Sequence, residues 1–122
     1  MQVLYFTAPW CGPCKMFKPV VESVSGDLGI NINYINVDYD ASLSEKYSVT
    51  SVPTIIILGM SGDVLYRNSG VMSRDQLLRT LNQFKWYLYL TYEKPLNTIS
   101  FKISYHNTNI ISFIRNFFNN SR

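Results

Sequence analysis

Histidine and cysteine are scarce in this chain of 122 residues, which has one of the first and two of the second. Both cysteines, Cys11 and Cys14, fall in a single C-x-x-C. A disulfide-rich secreted scaffold needs several spaced pairs and is excluded. A structural zinc site is disfavoured, because two thiolates fill half of a tetrahedral shell and His106 lies far along a different kind of sequence. Charge is thin as well, at 16% of residues, and the net value of +3 is too small to argue for nucleic acid. No apolar run approaches the roughly 18 to 20 residues of a membrane span. The start, Met1-Gln2-Val3-Leu4-Tyr5-Phe6, lacks a basic n-region and a small-residue cleavage site, so no signal peptide is expected. What is plentiful is apolar content, 47%, which excludes a disordered chain, and the length suits one compact core.

Residues 3–7 form a short apolar and aromatic run, as in a buried strand. Beyond Cys14 the period changes. Met16, Phe17, Val20, Val21 and Val24 mark one helix face, with Gly26 placed to end it and Pro19 inside it. A second strand is expected over 30–37 and a short helix over 41–47. The uninterrupted run Thr54-Ile55-Ile56-Ile57-Leu58 fits a strand covered on both faces, and the turn cluster at 59–63 joins it to a strand over 64–68 as a hairpin. Ser73 with Gln76 makes a capping box for a helix over 73–84, whose stripe is Leu77, Leu78, Leu81 and Phe84. The order βαβ, helix, ββα predicts an α/β fold with a mixed central sheet flanked by helices.

After Lys85 the composition shifts. Up to that point seven basic and seven acidic residues cancel, and the remainder carries the whole positive excess. The chain therefore divides into a domain over 1–85 and a C-terminal extension over 86–122 of no assigned role. Within the extension, residues 86–92 are rich in strand formers and 99–105 alternate apolar with polar, so a hairpin turning at Lys94-Pro95-Leu96-Asn97 is expected. Ile110, Phe113, Ile114, Phe117 and Phe118 are spaced for a helix face.

The C-x-x-C follows a predicted strand and opens a predicted helix. There the helix dipole and free backbone N–H groups favour a thiolate, and Lys15 and Lys18 add positive charge. Cys11 is expected at the helix start with its sulfur toward solvent, and Cys14 one turn further in and more buried. The pair then splits into an attacker and a resolver. The lysines and Asp38 read as solvated surface groups.

Trp10-Cys11-Gly12-Pro13-Cys14-Lys15-Met16, the helix proline Pro19, Val52-Pro53-Thr54 and Gly70 together resemble the thioredoxin family over residues 2 to 85. The resemblance implies a thioredoxin fold and a cis bond at Pro53. It also implies a protein-disulfide reductase with catalytic Cys11 and Cys14 and a substrate-binding rim of Trp10, Gly12, Pro13, Val52 and Pro53. In that reading Cys11 attacks a disulfide of a protein substrate, Cys14 releases the product, and an upstream reductase restores the pair. No organic cofactor or metal, no nucleic acid and no membrane is implied. A cytoplasmic monomer is expected. Two rivals stand beside it: a glutathione-dependent, glutaredoxin-like reductase, suggested by the short core, and a thioredoxin-fold binding module whose dithiol is incidental.

The departures from the family pattern are specific. The family's first strand and helix have no counterpart ahead of residue 2. Where the family carries a buried aspartate six residues before the first cysteine, this chain has Tyr5, and the lysine paired with that aspartate aligns with Tyr34. Thr7 replaces a common tryptophan. The resemblance leaves open whether Tyr5 limits the resolving step.

Overall fold

The computed structural model describes residues 1–92, and residues Met1–Tyr89 group into one compact unit. The expected strand over 99–105, the turn at 94–97 and the helix face at 110–118 lie outside the described residues.

In chain order the elements are β1 (Gln2–Thr7), α1 (Gly12–Leu28), β2 (Ile32–Asn36), α2 (Ala41–Lys46), β3 (Thr54–Leu58), β4 (Val64–Ser69) and α3 (Arg74–Tyr92). The four strands make one mixed sheet in the order β2-β1-β3-β4. β1 runs parallel to β2 and antiparallel to β3, and β3 runs antiparallel to β4. The helix-flanked mixed sheet is the fold class expected from the sequence.

Side chains alternate across a strand, so each central strand feeds two cores. Val3 and Tyr5 of β1 and Ile55 and Ile57 of β3 join Phe17, Val21 and Val24 of α1 and Leu77, Leu81 and Phe84 of α3. Leu4, Phe6, Ile56 and Leu58 point the other way and pack with Ile35, Leu43 and Tyr47. Every residue of β3 is buried, which is why its sequence shows no alternation.

Three expected boundaries move. α1 runs past Gly26 and ends at Gly29, whose left-handed φ of 62° is a glycine conformation and whose N–H reaches the carbonyls of Gly26 and Ser25. The extra turn lets Leu28 pack on the core. β2 is shorter than expected, with Ile30 serving the core from outside the strand. The largest difference is at 86–92, expected as a strand and found as the continuation of α3. Leu77, Leu81, Phe84 and Leu88 keep a helical period across Lys85, and that continuity outweighs the local strand preference of Trp86, Tyr87 and Tyr89. The capping box stands as expected: the Gln76 N–H donates to Ser73 Oγ, and the Ser73 N–H donates to Gln76 Oε1.

Candidate active site

Strand direction assembles the site. β1 and β2 are parallel and β3 is antiparallel to β1, so the ends of β1 and β2 and the start of β3 lie at the same end of the sheet. The loop leaving β1 carries Trp10 and Cys11, the loop leaving β2 carries Asp38, and the loop entering β3 carries Val52 and Pro53. Residues more than forty positions apart meet there.

Cys11 is the N-cap of α1, and its Sγ accepts from the Cys14 backbone N–H at 3.2 Å. Gly12 and Pro13 occupy the first positions of the helix, where the missing N–H of proline costs nothing. The first turn holds no acidic residue to oppose a negative sulfur. Cys11 and Cys14 are joined as a disulfide and pack with Ala8, Val37 and Val52. The Val52–Pro53 bond is cis, and the Val52 carbonyl oxygen lies 3.7 Å from Cys11 Sγ. All of the sequence-derived site residues therefore sit in one neighbourhood.

The expected difference in exposure between the two cysteines is slight: Cys11 is 4% exposed and Cys14 is 2% exposed. With its sulfur bonded to Cys14 and lying against the Val52 loop, Cys11 does not project into solvent. Any difference in reactivity must then come from the helix start rather than from access alone.

Trp10 is 68% exposed, and its indole N–H donates to both oxygens of Asp38, at 3.1 and 3.2 Å. Asp38 is thus a partner of Trp10 and not merely a solvated charge. The only sequence signal for it is local: the Asp38 N–H donates to Asn36 Oδ1 at 2.9 Å, a turn that Asn-x-Asp can form. The Pro53 loop is tied from behind by Thr54 and Gly70. Thr54 Oγ1 donates to the Ser51 carbonyl at 2.8 Å, and the Gly70 N–H donates to the Pro53 carbonyl at 2.8 Å. Gly70 has φ of 97°, outside the range that side-chain-bearing residues favour.

Tyr5 is fully buried and its hydroxyl donates to the backbone carbonyl oxygen of Cys14 at 3.2 Å. Its ring meets Phe17 and Tyr34 edge-on, with centroids 5.9 and 5.5 Å away. Burial pushes the Tyr5 phenol above its ordinary range, with Thr7 opposing in part. Tyr34 is also raised, first by burial and then by Glu22 and Tyr5. The described residues offer no cluster of three or more His, Cys, Asp or Glu that could hold a metal ion.

Residues 1–83 match the family model for thioredoxin. A thioredoxin of Chlamydia caviae is 39% identical over 79 residues, which cover 64% of this chain and 76% of that protein. A thioredoxin of Bacillus subtilis is 35% identical over 80 residues, with the same shares, 64% and 76%. Among solved structures, thioredoxin 1 of Thermosipho africanus superposes with a TM-score of 0.63 at 26% identity, covering 76% of this chain and all (100%) of that one.

Proposed function

The chain belongs to the thioredoxin family and is a thiol–disulfide oxidoreductase, and we propose that Cys11 is its attacking thiolate and Cys14 its resolving thiol. The observation that carries this assignment is the Cys11–Cys14 disulfide at the start of α1, with the Cys14 N–H directed at Cys11 Sγ. Backbone donors and the helix dipole stabilise negative charge on Cys11 and offer less to Cys14, one turn in.

The reduced pair acts in two exchanges. The Cys11 thiolate attacks one sulfur of a substrate disulfide; a mixed disulfide forms and the other substrate sulfur leaves as a thiolate. The Cys14 thiolate then attacks Cys11 Sγ, the bond to substrate breaks, and two electrons have passed to the substrate as the pair becomes oxidised. Disulfide-containing proteins are the substrates and a reductase returns the electrons, as membership of the family implies. Trp10, Gly12, Pro13, Val52 and Pro53 form the face against which the substrate chain lies. The exposed indole of Trp10 and the Val52 carbonyl beside Cys11 Sγ support that role.

The domain that holds the disulfide carries the activity, with the residues after α3 as an extension to it. The protein works as a monomer in the cytoplasm, where a reducing pool keeps such dithiols reduced. No described helix is long and apolar enough to cross a membrane. The glutathione-linked and pure binding-module readings are not favoured, since the curated relatives are thioredoxins and the pair is bonded as an exchanging dithiol would be.

Reduction of insulin disulfides with dithiothreitol as electron source tests the assignment. The wild-type protein should accelerate precipitation of the insulin B chain, and Cys11→Ser should not. Equal rates for the two would overturn it.

A further inference from the structure

To attack Cys11, the Cys14 thiol must first lose its proton, and the groups around it decide where that proton goes. Among the described residues every Asp and Glu is exposed. β1 brings Tyr5, whose hydroxyl donates to the Cys14 carbonyl oxygen at 3.2 Å. β2 brings Tyr34, in edge contact with Tyr5. The segment after β2 brings Val37, and its neighbour Asp38 is engaged with the Trp10 indole. The Pro53 loop brings Val52 and no titratable group. On α1 itself Lys15 and Lys18 are exposed cations, with Lys18 Nζ 3.8 Å from Glu22 and over the Tyr34 ring. The only polar side chain among them that is both buried and bonded to Cys14 is a phenol.

We propose that Cys14 resolves without a base from the described residues, so that substrate release is limited by loss of its proton to solvent, and that Tyr5 is the positioning residue that sets a hydroxyl donor, and no acceptor, on the Cys14 carbonyl oxygen. This rests on the assignment of Cys14 as resolving cysteine. A phenol is protonated at neutral pH and a poor acceptor there, and burial moves Tyr5 further in that direction. The proton leaves for water, the thiolate attacks Cys11 Sγ, and the departing substrate thiolate takes up a proton in turn. The covalent complex with substrate consequently persists at low pH and shortens its life as pH rises.

The test uses the full chain, whose only thiols are Cys11 and Cys14. Reduced protein is mixed with dithiobis(nitrobenzoate) in a stopped-flow instrument. Attack by Cys11 releases one chromophoric thiolate, and attack by Cys14 releases the other. The second phase should quicken about tenfold per pH unit from about pH 6 to 8, as the thiolate fraction of a group titrating above neutrality does. Tyr5→Phe should keep that slope, because it removes no base. Tyr5→Asp should flatten it above neutrality and raise the rate at about pH 7. A wild-type second phase independent of pH in that range, or a slope lost in Tyr5→Phe, would overturn the inference. Absence of a first phase would instead remove the assignment of Cys11 on which it rests.

Discussion

The indole N–H of Trp10 rests on the carboxylate of Asp38, 28 positions away, and ties the loop leaving β1 to the loop leaving β2. Both residues are exposed, so the bond contributes little to global stability. What it restrains is the exposed ring of Trp10, the residue before Cys11. Asp38→Ala should leave the unfolding free energy from urea titration within about 0.5 kcal/mol of wild type. It should raise the KM for a protein disulfide about two- to fivefold by freeing the Trp10 ring, while kcat changes less. Steady-state insulin reduction checks the split.

Cys11 and Cys14 are almost equally buried, so selective modification must follow ionisation. Brief treatment of the reduced protein with iodoacetamide near neutral pH should alkylate Cys11 well before Cys14, read by peptide mass mapping. Equal labelling would assign no special role to the helix start. Cys14→Ser should accumulate a mixed disulfide with substrate on non-reducing gels.

Gly70 holds the Pro53 loop through its N–H at a φ of 97°. Open space surrounds the position where a Cβ would stand, so backbone conformation alone sets the cost of a substitution. Gly70→Ala should destabilise by about 1–3 kcal/mol in urea titration. Ser73→Ala, which removes one half of the capping box of α3, should cost about 1 kcal/mol.

Tyr5 and Tyr34 are raised above the ordinary phenol value in the folded protein, so the folded state holds those protons more tightly than the unfolded chain. Their contribution is complete below the unfolded value of about 10 and is lost as pH rises through it. The urea midpoint should hold up to about pH 10 and fall as pH rises above it, and fall less in Tyr5→Phe.

The helix start, the sheet and the dithiol could be read from the sequence because each rests on a local pattern. Residues 3–7 and 54–58 are apolar runs, Ser73 and Gln76 are a cap pair, and the cysteines are three positions apart on one helical turn. The misread stretch was 86–92. Its strand-forming residues describe composition, whereas Leu88 in phase with Leu81 and Phe84 describes the helix they continue. The Trp10–Asp38 bond and the similar burial of the two cysteines depend on which loops meet, and no local pattern encodes that. The facing of Tyr5 and Tyr34 is different. Their pairing in register across β1 and β2 could be anticipated only through the family's own facing pair at the same two positions.

The three loops at this end of the sheet are each anchored by a different strand, and only one of them leads into the helix start that holds the sulfurs. Substitutions around Asp38 or Val52 can therefore change the surroundings of the disulfide one loop at a time, while the strand that presents Cys11 stays as it is.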